Sequence, residues 1–312
     1  MTQTRRPVVC VLDEIHPAVY DYLAERADLR RPKDAANWRE EADGLIVRGT
    51  RISADDLKAA KRLKVVGKHG AGVDNIDADA AAALGIEVRH TPGVNAPSVA
   101  DLAIGMALAL LRGLERQTTA LRNGILLPPA ERTGFELAEL TAGIVGLGNV
   151  GRATAQRLVG GFGSTVVGYD PYLAPDAWPQ RVRPVATIDE LIAESGIIFL
   201  HMPLTDETRN MFDREAIARM NEGSFLVNLA RGGTVDEAAL AEALVSGHLR
   251  GAASDVFVSE PKYESPLLSI DGFIATPHMG AQTEASLRRV GTAIADKVLA
   301  CLAEPAPAGV VA

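Results

Sequence analysis

The stretch Gly146-Leu-Gly148-Asn-Val-Gly151 constrains this chain more than any other. It follows an apolar run, Ala142 to Val145, and leads into the helical pattern Arg152-Ala-Thr-Ala-Gln-Arg-Leu. A strand that turns on glycines and restarts as a helix belongs to a βαβ unit of a parallel sheet. Gly146 permits the tight turn, Gly148 lets the backbone approach a pyrophosphate, and Gly151 allows close helix–strand packing. The helix start, with Asn149 and Val150, presents unpaired N–H groups and a partial positive charge to the phosphates. A glycine pattern alone also reads as a flexible loop, but a second residue fits the nucleotide reading. Asp170 ends the next apolar run, Thr165-Val-Val-Gly-Tyr-Asp, about 20 residues further on. A carboxylate there accepts hydrogen bonds from the adenosine ribose and repels a 2′-phosphate. NAD is therefore the expected cofactor, in preference to NADP.

The rest of the chain alternates in the same manner. Apolar strand patterns stand at Pro7 to Leu12, Gly44 to Val47, Leu63 to Val66 and Ile86 to Arg89, with helical runs at Pro17 to Arg26 and Asp77 to Leu84. A long apolar helix runs from about Asn95 to Leu121, and Pro97 suits its first turn. Asn123 to Leu140 carries Pro128-Pro129 and no period, so a loop or arm is expected. A second series follows, with strands at Ala142 to Val145, Thr165 to Tyr169, Gly196 to Leu200, Ser224 to Asn228, Gly251 to Asp255 and Gly272 to Ala275. A last amphipathic helix spans about Thr283 to Leu302. The expected class is α/β, with two doubly wound parallel-sheet domains, Rossmann-like or flavodoxin-like.

With 312 residues the chain suits two domains. Its net charge of −8 argues against a nucleic-acid partner. Cys10 and Cys301 share no motif, which fits a reducing compartment. Pro7 to Leu12 is too short for a signal peptide, and Val99 to Leu111 contains Asp101 and is too short for a membrane span. A cytoplasmic protein with no membrane partner and no metal is expected.

In open parallel sheets the ligand crevice lies beyond the carboxyl ends of the strands. His201, Arg231, Asp255 and His278 all fall just after strand patterns, and Glu260 precedes Pro261. Taken singly, each reads as an ordinary loop residue. Together they fit the reduction of a 2-oxo acid, which needs a cation for the carboxylate and a proton donor for the carbonyl oxygen. Arg231 offers a planar, permanently charged fork that matches a carboxylate. His278 is suited to exchange a proton near neutral pH. Glu260, hydrogen-bonded to His278, would favour the imidazolium and orient its ring.

These residues sit in longer stretches that resemble the D-isomer-specific 2-hydroxyacid dehydrogenase family, nearer its phosphoglycerate dehydrogenase-like branch. The stretches are Gly70-Ala-Gly-Val-Asp-Asn-Ile-Asp77, Asn95-Ala-Pro-Ser-Val-Ala-Asp101, Gly146 to Gly151, His201-Met-Pro-Leu-Thr-Asp-Glu-Thr208, Asn228-Leu-Ala-Arg-Gly-Gly-Thr-Val-Asp236, Asp255 through Glu260-Pro261, and Pro277-His-Met-Gly-Ala281. The resemblance implies a substrate domain at 1–96 and 284–312, with an NAD-binding domain at 97–283 inserted into it and a cleft between the two. It implies Arg231 as substrate anchor, His278 as general acid/base and Glu260 as its partner. It implies that the backbone of Gly70, Ala71 and Gly72 holds the substrate carboxylate. Beyond the glycine turn and Asp170, it places cofactor contacts at Met202, Pro203, Thr208, Leu229, Ala230 and Arg231, and at Asp255, His278 and Gly280. It also implies a homodimer joined through the cofactor domain, which gives the arm at about 123–140 a role.

Asp101 stands where the family usually has Glu, and the arm lacks the family's frequent Trp. The chain stops before the C-terminal regulatory extension of longer relatives, so feedback by serine is not expected. A formate dehydrogenase-like reaction is disfavoured, because Glu260 stands where that enzyme has Gln. A non-enzymatic NAD-sensing protein is the other alternative, since such proteins keep residues equivalent to Arg231, Glu260 and His278. Arg48, Arg51, Lys68 and His69 lie on loops expected to face the cleft, where they would hold a second anionic group, as in 3-phosphoglycerate. Solvation of basic loop residues is the plain alternative.

Overall fold

The computed structural model describes residues 5–303. The outermost parts of the expected first domain, residues 1–4 and 304–312, lie outside the described residues. The chain divides into two compact units, one of residues up to Asn95 with those from Gln282 onward, the other Ala96–Ala281.

The first unit holds five strands: β1 (Val8–Val11), β2 (Asp28–Arg30), β3 (Gly44–Val47), β4 (Val65–Lys68) and β5 (Glu87–Arg89). They pair in parallel in the order β2-β1-β3-β4-β5. Every residue of β1 and β3 is buried, as a strand covered on both faces requires. The last helix, Glu284–Ala303, returns to this sheet. A Cβ on Gly44 would lie 2.9 Å from Val298, and one on Gly67 would lie 2.5 Å from it, so the helix can approach only over glycine.

The second unit holds seven strands: β6 (Ala142–Val145), β7 (Val166–Tyr169), β8 (Val182–Pro184), β9 (Ile197–Leu200), β10 (Ser224–Asn228), β11 (Leu249–Ser254) and β12 (Phe273–Ala275). The order is β12-β11-β10-β9-β6-β7-β8, all parallel. Chain direction across the sheet reverses between β6 and β9, so the loops after those two strands diverge and leave a crevice.

Three local readings change. The edge strands β2 and β8 go unseen in the sequence because an edge needs few apolar residues: β2 is Asp-Leu-Arg and β8 ends on Pro184. The long helix is two helices, Ala96–Leu111 and Leu114–Arg122, broken where Gly113 takes φ +57°. The arm contains a helical turn, Pro129–Arg132. Among the described residues no single helix is long and apolar enough to cross a membrane.

Candidate active site

The glycine turn can be read atom by atom. Gly146 has φ +86°, and a Cβ there would sit 2.8 Å from the backbone nitrogen of Met202, on the loop after β9. A Cβ on Gly151 would lie 2.0 Å from the carbonyl oxygen of Gly146, so the helix Asn149–Gly161 presses directly on the turn. Around Gly148 a Cβ would meet nothing within 4 Å. Two glycines are thus demanded by packing, while the middle one faces open space. Gly148 also caps the helix without a side-chain hydrogen bond, which leaves the first-turn N–H groups without a side-chain acceptor from their own cap. An open glycine before such a helix start is the cradle that a pyrophosphate fits.

Asp170, just after β7, accepts the N–H of Leu147 at 2.8 Å and that of Tyr172 at 3.1 Å. Its carboxylate is therefore fixed beside the glycine turn. Other positions expected at the cofactor are buried: Met202, Leu229 and Ala230 in the core, and Thr208 with its hydroxyl on the Pro203 carbonyl at 2.7 Å. His201 lies where the sheet reverses, its Nε2 3.0 Å from Thr154 Oγ1. Burial pushes its pKa down to about 3, so the ring is neutral.

The structure brings Glu260 and His278 together: His278 Nδ1 lies 2.8 Å from Glu260 Oε2. Glu260 Oε1 accepts the N–H of Phe257 at 2.9 Å, which holds the carboxylate in place. The hydrogen bond to Glu260 raises the His278 pKa, overcoming the opposing effects of burial and of the Arg231 charge. Burial works against ionisation of Glu260, but its bonds to His278 and Phe257, with the charge of Arg231, hold it below the usual carboxylate range. Arg231 thus acts on both members of the pair.

Local packing explains the meeting. The turn after β10 is tied by Thr234, whose hydroxyl donates to the Arg231 carbonyl at 2.8 Å. A Cβ on Gly232 would lie 2.2 Å from the Phe257 carbonyl carbon, so glycine alone lets the Arg231 turn lie against the Glu260 turn. Asp255, at the end of β11, is 2% exposed. Its carboxylate accepts from Thr276 Oγ1 at 2.6 Å, Met279 N at 2.7 Å and Gly280 N at 2.8 Å. Asp255 and Gly280, expected to touch the cofactor, are bonded to each other and support His278.

In the first unit, Gly70, Ala71 and Gly72 follow β4. The Gly70 carbonyl accepts from Thr91 N and Thr91 Oγ1, and the Ala71 carbonyl lies 2.7 Å from His90 Nδ1. Lys68 donates its ammonium to the Arg48 carbonyl and to Asn75 Oδ1. His69 is buried, with Nε2 3.3 Å from the Leu287 carbonyl. Burial lowers its pKa to about 4, so it brings no positive charge near neutrality. Sequence reasoning overlooked Asp13, whose carboxylate accepts the N–H groups of Arg48, Gly49 and Thr50. In the sequence Asp13 stands out only as the first charged residue beyond the apolar run of β1, which does not reveal its partners.

Residues 104–280 match the model of the D-isomer specific 2-hydroxyacid dehydrogenase, NAD binding domain. A hydroxypyruvate reductase of Thermotoga maritima is 44% identical over 264 residues, covering 83% of this chain and 84% of that protein. A D-3-phosphoglycerate dehydrogenase of Mycobacterium tuberculosis is 40% identical over 304 residues. That alignment takes in 95% of this chain but only 57% of the relative's own length. The crystal structure of the TT0316 protein from Thermus thermophilus superposes with a TM-score of 0.86 at 35% identity, over 95% of this chain and 96% of that one. The second unit is accordingly an NAD-binding domain, and the chain belongs to the D-isomer-specific 2-hydroxyacid dehydrogenase family.

Proposed function

We propose that the chain is an NAD-dependent oxidoreductase that interconverts a small D-2-hydroxy acid and its 2-oxo acid. The observation that carries this reading is the Glu260–His278 hydrogen bond of 2.8 Å, with Arg231 acting on both groups. The cofactor, when bound, would supply hydride as NADH for reduction and accept it as NAD in the reverse direction. The glycine turn would hold its pyrophosphate and Asp170 its adenosine ribose. Arg231 anchors the substrate carboxylate as a charged fork. Glu260 occupies Nδ1 of His278, which leaves Nε2 to give a proton to the carbonyl oxygen or to take one from the hydroxyl.

In this reading the first unit supplies substrate contacts. Among the described residues the N–H groups of Ala71 and Gly72 have no acceptor, and such a pair suits a carboxylate. Arg48 and Lys68 add positive charge for a second anionic group, so 3-phosphoglycerate or another acid with a distal phosphate or sulfonate is the favoured substrate class. His69, being neutral, supports the loop. The protein works in the cytoplasm as a homodimer joined through the cofactor domain. Exposed Leu121, Ile125 and Leu126 in and beside the arm support that assembly.

The test is a panel of 2-oxo acids, including glyoxylate, pyruvate, hydroxypyruvate and phosphohydroxypyruvate, followed by NADH absorbance. NADH consumption with at least one acid, strongest with a distal anion, is expected. Tight NADH binding with no turnover on any acid would favour a sensing role.

A further inference from the structure

We propose that Asp13 is a positioning residue that sets substrate selectivity by fixing the loop that carries Arg48. The inference rests on the reading of Arg48 as a contact for a distal anionic group.

In the five-stranded sheet the order β2-β1-β3 reverses between β1 and β3, the place where an open parallel sheet receives ligands. Here the chain fills that place itself. Asp13 Oδ2 accepts Arg48 N at 2.6 Å and Gly49 N at 3.2 Å. Asp13 Oδ1 accepts Thr50 N at 3.1 Å and Thr50 Oγ1 at 2.8 Å. Three successive backbone N–H groups converging on one carboxylate form an anion nest occupied from within. Burial opposes the charge on Asp13, yet these bonds outweigh it and hold its pKa below the ordinary carboxylate range.

The carbonyls of the same turn are held from the other side. Lys68 Nζ donates to the Arg48 carbonyl, and Asn75 Nδ2 donates to the Thr50 carbonyl at 2.6 Å. Lys68 also donates to Asn75 Oδ1, so the two supports are joined. The turn 48–50 is thereby clamped by residues from the ends of β1 and β4 and from the loop beyond. Such a clamp suits a loop that must present one guanidinium in one place, because side-chain placement errors of about 1 Å cost binding steeply. Lys68 on this view contributes to selectivity through the loop as well as through its charge.

Asp13→Asn keeps the shape but removes the charge and one acceptor; Thr50→Val removes one bond and is the gentler variant. Each purified protein would be assayed with phosphohydroxypyruvate and with glyoxylate, which has no distal anion, alongside thermal melting and NADH affinity by fluorescence. For Asp13→Asn the ratio of the KM for phosphohydroxypyruvate to that for glyoxylate should rise about tenfold, with a smaller rise for Thr50→Val and no change in NADH affinity. A parallel rise for both acids would show a merely structural role and overturn the proposal, as would an unchanged ratio. Arg48→Ala separates the two layers. If it leaves the wild-type ratio unchanged, the distal-anion reading fails and the proposal falls with it. If it changes the ratio while Asp13→Asn does not, only Asp13 is excluded.

Discussion

The backbone N–H of His278 donates to the Asp255 carbonyl at 2.8 Å, while the carboxylate of the same aspartate holds the N–H groups of the next two residues. His278 has φ +50°, a conformation uncommon for a residue with a side chain. Asp255 is thus the anchor that keeps the imidazole turned toward Glu260. Asp255→Ala leaves the Met279 and Gly280 N–H groups and the Thr276 hydroxyl without this acceptor, at a cost of roughly 1–3 kcal/mol. The expected result is a lower melting temperature together with a kcat that falls further than NADH affinity does. Calorimetry and fluorescence titration check both.

The Glu260–His278 pair predicts the pH dependence. The folded pKa of His278 is raised, so its contribution to stability is fully present below the unfolded value of about 6.5 and is lost as pH rises through the folded one. The folded pKa of Glu260 is lowered, so its contribution is present above the unfolded value and is lost as pH falls through the folded one. The pair is therefore strongest between those limits. Reduction of a 2-oxo acid needs the imidazolium, so kcat/KM should decline on the alkaline side. Glu260→Gln should move that alkaline limb to lower pH. A limb that stays in place in Glu260→Gln would break the assignment of the pair.

The packing around Gly151 gives a sharper prediction about the nucleotide site. A methyl group 2.0 Å from the Gly146 carbonyl oxygen must push the helix away from the turn. Gly151→Ala should cost roughly 1–3 kcal/mol of stability and weaken NADH binding. Gly148→Ala meets open space, so it should melt near wild type while still losing NADH affinity. Thermal melts compared with fluorescence titrations distinguish the two.

On the proposed reading Asp170 sets the choice between NAD and NADP. Its carboxylate is fixed by Leu147 and Tyr172, so removing it exposes two N–H groups where the charge stood. Asp170→Ser should lower kcat/KM for NADH about tenfold or more and raise that for NADPH, as read from initial rates. Equal preference in the unmodified protein would contradict the role given to Asp170.

Most strands and the glycine turn could be read from the sequence because each carries a strong local pattern, whereas the pairing of Glu260 with His278 was expected only from the two residues taken together. β6 is apolar throughout and β10 has an apolar centre, Phe225 to Val227, and the loops after them carry the glycine turn and Arg231. The edge strands β2 and β8 gave no such pattern, since an edge can be formed by three residues of mixed character. The break at Gly113 was missed because a single glycine within a helical pattern reads as tolerated. The roles of Asp13 and Asp255 were invisible for a different reason. Both act by accepting backbone N–H groups from loops that other strands deliver, and no spacing along the chain records that.

Arg231 is the residue on which the dehydrogenase reading turns most sharply, because that reading gives its charge two tasks, holding Glu260 ionised and anchoring the substrate carboxylate. The most direct measurement compares NADH consumption on 2-oxo acids by the unmodified protein, Arg231→Ala and His278→Ala at matched NADH saturation. Turnover by the unmodified chain, with kcat/KM lost by about 10²-fold or more in both variants and NADH affinity retained, is the predicted result. Variants that reduce the same acids as fast as the unmodified chain would contradict it.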